Sequence, residues 1–168
     1  MCNINIDLLI QDKHWKKEEN INRNLMEDIF RLVFDHLKIP LCKRNIEISI
    51  TLTDDDNIKV LNRDYRHKDK ATNVLTFSLY NNKDNILDDM QKLPFMSLGD
   101  IVFSYDTIRK EAEEQDKEFK NHFIHMLIHS YLHLFSYDHI KEKDRENMEQ
   151  IEIDILKKLN IENPYILN

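Results

Sequence analysis

Glycine is almost missing from this chain: of 168 residues one is glycine, Gly99, and three are proline. With abundant Ile, Asn and Lys, this marks a strong compositional bias. Cysteine is nearly as scarce. Cys2 and Cys42 form no Cys-x-x-Cys pair, so no disulfide framework is expected, a reducing compartment suits the chain, and both thiols are expected to be structural bystanders. No apolar run approaches the length that crosses a bilayer, and the start, Met1 to Asp7, lacks a basic segment followed by an apolar one. The expectation is a cytoplasmic protein with no membrane partner. Positive charge is in deficit, 24 Lys and Arg against 31 Asp and Glu for a net charge of −7. That balance argues against broad, charge-driven binding to nucleic acid and no DNA partner is expected, although a local basic groove stays compatible with it.

What is present suffices for one core. A chain of this length with 41% hydrophobic residues buries one sizeable core, so residues 1–168 are read as a single domain. Alternation at Ile4, Ile6 and Leu8, and again at Ile46, Ile48, Ile50 and Leu52, predicts two half-buried strands. Leu25, Ile29, Leu32, Val33 and Leu37 form a helical stripe between them, ending near Ile39-Pro40. Asp54 is placed to cap a helix to about Arg63, and strands are expected at 74–79 and 99–104. Residues 80–97, polar and Asn-rich, read as an exposed excursion in which Ile86, Leu87 and Met90 are able to dock a short helix. A charged amphipathic helix to about Phe119 follows, then a helix from about Lys120 with Phe123, Met126, Leu127, Leu132 and Leu134 buried, then a last one from about Lys141 with Met148, Ile151, Ile155 and Leu159 as core. The fold class expected is α+β, a small mixed sheet of about four strands with about five helices.

The chemistry concentrates in His129-Ser-Tyr-Leu-His133-Leu-Phe-Ser-Tyr-Asp-His139. On a helix, residues four apart share a face, so His129 and His133 aim at one point. A straight helix does not bring a third ligand there. The chain must leave the helix and fold back before His139 completes the set, and Ser136-Tyr137-Asp138 is polar enough for that turn. Three imidazoles without a fourth protein ligand suit a catalytic zinc, whose open position lowers the pKa of a bound water to ~7 and polarises phosphoryl oxygens. Hydrolysis is the first reading. Two histidines at helical spacing and a third after a turn also occur in zinc proteases, so this is a zincin-like metal helix; there, a glutamate follows the first histidine as general base, and here that position is Ser130. Peptidase chemistry loses support.

His122 and His125 extend the same stripe. A rival chelate through His125 and His129 lacks a ligand after the turn, so these two read as supporting, substrate-facing or packed groups, with His125 a weak substrate-binding candidate. Arg63, Arg66, His67, Lys68 and Lys70, interrupted by Asp64 and Asp69, form the one cationic cluster ahead of a strand, a candidate for phosphate contact through Lys68 and Lys70. No acidic residue is placed as general base. Asp138 is a weak candidate beside its reading as a turn-orienting carboxylate, and Asp100 has a similar structural reading.

The segment His129 to His139 resembles the signature of the YbeY family of bacterial metal-dependent endoribonucleases, His-Gly-x-Leu-His-Leu-x-Gly-Tyr-Asp-His, matching every fixed position except the glycines. Tyr65 to Phe77 resembles the family's Arg-x-x-Asp-x-x-Thr-(Asn/Asp)-Val-Leu-Ser-Phe block, and Leu98 to Val102 its Gly-Asp-Ile strand. The resemblance runs from about Ile46 to Tyr165. It implies one zinc per chain on His129, His133 and His139, Arg66 as a catalytic group, and single-stranded RNA as substrate. It also implies maturation of the small-subunit (16S) rRNA 3′ end and ribosome quality control, with precursor rRNA and the ribosome or its associated proteins as partners. A guanidinium forks onto two phosphate oxygens and stays charged, which fits Arg66 for clamping a scissile phosphate. Attack by water and by a ribose 2′-hydroxyl are both compatible with these residues. The departures are Ser130 and Ser136 in place of glycine. Glycine in a helix-leaving turn often supplies a positive φ that serine adopts at a cost, and the Ser130 hydroxyl is expected to narrow the approach to the metal.

Two other classes stay open. A zinc hydrolase of a peptide or small molecule is disfavoured by the missing glutamate and the cationic cluster. A ribosome-associated binding module with a structural zinc is favoured if the serines block the open position, although structural zinc usually has four protein ligands.

Overall fold

The computed structural model describes residues 3–40 and 45–166; Cys2 and Cys42 lie outside them. Four strands form one mixed sheet: β1 (Asn3–Ile10), β2 (Asn45–Thr53), β3 (Val74–Ser78) and β4 (Phe95–Ser104), in the order β1-β2-β4-β3. β1 pairs with β2 and β2 with β4 in parallel, while β3 runs antiparallel to β4 at the edge. Six helices complete it: α1 (Arg23–His36), α2 (Asp55–Arg66), α3 (Lys83–Lys92), α4 (Tyr105–Glu114), α5 (Phe119–Leu134) and α6 (Glu142–Lys158). The α+β class and the four strands agree with the sequence reading; the sixth helix is α3, which buries Ile86 and Met90.

The alternating residues behave as the pattern requires. Ile4, Ile6, Ile46, Ile48, Ile50 and Leu52 are buried in the main core, whereas Asn3, Asn5 and Asp7 face out. α5 is the central helix, and its buried residues include Phe123, Leu127, Ile128, Leu132 and Leu134. The Tyr131 hydroxyl donates to the Met26 carbonyl of α1 at 2.8 Å, tying the two helices together. On the opposite face of the sheet α2 packs Ile58 against Leu75 and Val102, forming a small second cluster. The Asp54 side chain caps α2 by accepting from the Asn57 N–H at 2.9 Å, as its position implies.

One strand boundary needs correcting. β4 begins at Phe95, four residues before the expected start at Gly99, because Met96 and Leu98 are buried and extend the ladder through a stretch that Pro94 and Ser97 disguise as loop. The register shifts between Glu47 and Ile48, which pair with Ser97 and Gly99, so Leu98 is the extra residue of a β-bulge. The chain's single glycine sits there because nothing else fits: φ is +142°, and a Cβ would lie 2.2 Å from the Phe77 carbonyl oxygen.

Candidate active site

α5 ends in a Schellman turn. The Tyr137 N–H bonds the Leu132 carbonyl at 3.0 Å and the Ser136 N–H the His133 carbonyl at 2.9 Å, with Ser136 left-handed at φ 68°. This is the positive-φ position at which serine replaces glycine. The turn folds the chain back over the helix, so His139 stacks on His129, with centroids 5.4 Å apart, and meets His133 edge-on at 5.1 Å. One nitrogen from each of His129, His133 and His139 lies within 4.8 Å of the other two; among the described residues this group comprises these three side chains. Ser130 is fully buried. Its hydroxyl therefore lies in the packed interior, not on the approach to the trio, which corrects the expectation that it narrows that approach.

The hydrogen bonds assign the tautomers. His129 Nδ1 lies 2.8 Å from Glu152 Oε2 and His133 Nδ1 2.9 Å from the Tyr137 carbonyl, and both partners only accept, so both Nδ1 atoms carry the proton. The Nε2 atoms, left with lone pairs, face each other at 3.0 Å. Two bare imidazole nitrogens at that separation repel unless a cation lies between them and the third ring. The donor set therefore fits a metal ion, with imidazole the ligand type that zinc and its neighbours accept. Burial, then the neighbouring His129 and His133's other neighbour His139, lowers the His133 pKa to about 4, which keeps it neutral and ligand-competent.

Glu152, on α6, is the residue that sequence reasoning missed. Its side chain is 1% exposed, and besides His129 it accepts from His125 Nε2 at 2.6 Å and the Tyr165 hydroxyl at 2.5 Å. Burial alone raises a carboxyl pKa, but the hydrogen bonds from His125 and His129 outweigh it and hold Glu152 at about 2. The signal was a carboxylate four residues after Met148, on the stripe assigned to core, where an ionised group without partners is too costly to bury. His125 is buried, 6% exposed, and its ring nitrogen Nε2 bonds Glu152 and Tyr165; through Glu152 it stands behind His129. His122 pairs with Glu111 at 3.0 Å. The Asp138 carboxylate accepts from the Ile140 N–H at 3.3 Å, orienting the turn, and Asp100 is exposed.

Arg66, the last residue of α2, donates from Nη2 to the Thr76 carbonyl at 2.7 Å and lies over the Phe77 ring at 5.4 Å. Asn73 and Leu79 bond toward β4, so by alternation the Thr76 carbonyl faces the free edge of the sheet. β3 runs alongside α5: Asn73 contacts the Met126 sulfur at 3.4 Å at one end, and Gly99, the partner of Ser78, abuts Leu134 at the other. The strand whose Thr76 carbonyl holds Arg66 thus passes the helical segment that carries His129 and His133. Lys68 and Lys70 are exposed on the following loop, whose backbone the buried Asn62 holds through the Lys70 carbonyl at 2.9 Å. Neither lysine nor Arg66 lines the cavity beside the trio.

The chain is similar to known proteins along nearly its whole length. The family model described as Endoribonuclease YbeY matches residues 9–160. Proteins named Endoribonuclease YbeY from Agrobacterium fabrum and Sinorhizobium medicae are 37% and 36% identical, each over 98% of this chain and 96% of theirs. A Thermotoga maritima protein known from its solution structure shares the fold with a TM-score of 0.54 at 22% identity, covering 93% of this chain and 92% of its own. With a family model that spans most of its length and relatives more than a third identical over nearly all of it, the chain belongs to the YbeY family.

Proposed function

We propose that this protein is an endoribonuclease that cleaves single-stranded RNA, with one zinc held by His129, His133 and His139. The observation that carries this is the pair of unprotonated Nε2 atoms facing each other at 3.0 Å beside His139, in a chain whose relatives are named endoribonucleases. Zinc, when bound, supplies a lowered pKa for coordinated water and charge stabilisation at phosphoryl oxygens. The chain's own residues do the rest. Glu152 and the Tyr137 carbonyl hold the two helical imidazoles in the ligating tautomer and orientation. Arg66 is the catalytic cation: one of its five N–H donors is spent on Thr76, which fixes the guanidinium, and the others are free to fork onto phosphate oxygens and offset charge that develops in the transition state. Lys68 and Lys70 attract the RNA backbone toward it. The substrate is precursor small-subunit rRNA, cut near its 3′ end in the cytoplasm, with a role in ribosome quality control.

Two features weigh against other readings. A peptide substrate would add as a strand to the free edge of β3, but Arg66 occupies the Thr76 carbonyl there. A structural zinc would call for a fourth protein ligand, and the group among the described residues has three. The test is incubation with precursor small-subunit rRNA, with and without chelator. Cleavage near the 3′ end that chelator abolishes and zinc restores is expected; intact RNA with zinc-loaded protein contradicts the proposal.

A further inference from the structure

Beside the trio, on the α6 side, lies a cavity of about 110 Å³. His129 and His139 form one wall, so whatever fills it is next to the group held at the trio. Met148 and Tyr165 form the apolar part of the lining, and Arg145 and Glu149 contribute the charges. Arg145 and Glu149 are four apart on α6 and share one helix face. The ion pair that Arg145 makes with Glu142 is long, 3.9 Å, with both side chains more than half exposed, so its guanidinium is loosely held and able to turn to a ligand.

A phosphate suits this cavity poorly, because the carboxyl groups of Glu149 and Glu152 both line it. The lining calls for a flat, uncharged, aromatic group whose edge offers acceptors to a guanidinium and donors to a carboxylate. A nucleobase meets that description, and a base taken out of its stack is read in this way, between aromatic and apolar side chains with polar groups at its edge. Guanine matches best among the four bases. It presents O6 and N7 to an arginine fork, and N1–H and N2–H to a carboxylate. We propose that this cavity is a guanine subsite for the nucleotide next to the cleaved bond, read by Arg145 and Glu149 and stacked on Tyr165.

The subsite rests on the endoribonuclease reading for its place in the reaction, and its test separates the two. Guanosine, adenosine, cytidine and uridine, none carrying a phosphate, are titrated into the full chain with ¹³C-labelled methionine methyl groups, the Met148 signal being assigned with Met148→Leu. Guanosine is expected to move the Met148 signal at a concentration about tenfold lower than the other three do, and Arg145→Ala and Glu149→Gln are each expected to remove that advantage. Equal response to all four nucleosides, no response at Met148, or an advantage that survives both substitutions overturns the subsite, whether or not the protein cuts RNA. Guanosine selectivity in a protein that cuts no RNA supports the subsite and contradicts the nuclease reading.

Discussion

Glu152 on α6 accepts a hydrogen bond from His129 Nδ1 at 2.8 Å, and this contact decides which nitrogen of His129 keeps its lone pair. An imidazole of α5 is thereby positioned by a carboxylate from a different helix. Replacing Glu152 with Gln leaves the shape but brings an N–H₂ group to a place where only acceptors fit. Zinc affinity, measured by competition with a chromophoric chelator, is expected to fall about 10- to 100-fold.

Arg66→Ala is expected to keep the fold and the zinc content and to lose RNA cleavage by about a hundredfold or more, as for removal of one preorganised transition-state donor. Arg66→Lys should recover little of it, because an ammonium does not fork onto two oxygens while also holding Thr76. Circular dichroism, metal analysis and single-turnover cleavage check the three parts. Wild-type cleavage in Arg66→Ala removes Arg66 from the site.

Acid should destabilise the chelator-treated protein in two windows. The folded-state pKa of His133 is lowered from 6.5 to about 4, so the unfolded chain takes up its proton first and stability falls as pH drops from 6.5 toward 4. Glu152 is lowered from 4.5 to about 2, so the stability its ionised form contributes is present above 4.5 and is lost as pH falls through 2. Urea midpoints across this range measure the slope. Glu152→Gln is expected to flatten the lower window.

Two backbone positions carry opposite expectations. Gly99→Ala sets a methyl against the Phe77 carbonyl at an unfavourable φ and is expected to destabilise by on the order of 3 kcal/mol, with a lower urea midpoint. Ser136→Gly relieves a left-handed serine at φ 68° and removes a buried hydroxyl that has no hydrogen-bond partner among the described residues. It is expected to stabilise by about 1 kcal/mol.

Much of this was legible in the residues themselves. His129, His133 and His139 stood out because helical spacing and a polar turn are local properties, and the Schellman turn at Ser136 realises both. The strand at Asn3–Ile10 and the Asp54 cap followed from alternation and capping chemistry, which are equally local. Glu152 was not legible, since its role exists only once α6 crosses α5 and Tyr165 closes over both. The start of β4 was hidden for a similar reason: Met96 and Leu98 take their meaning from β2. The pairing of Arg66 with the edge of β3 likewise depends on sheet order, which no single segment encodes.

Metal analysis of the purified protein, with the three single histidine-to-alanine variants beside it, bears most directly on the trio. About one zinc per wild-type chain, lost or sharply reduced in His129→Ala, His133→Ala and His139→Ala, is expected. A fully folded wild-type protein that takes up no metal when zinc is supplied, or a zinc content that none of the three variants changes, contradicts it.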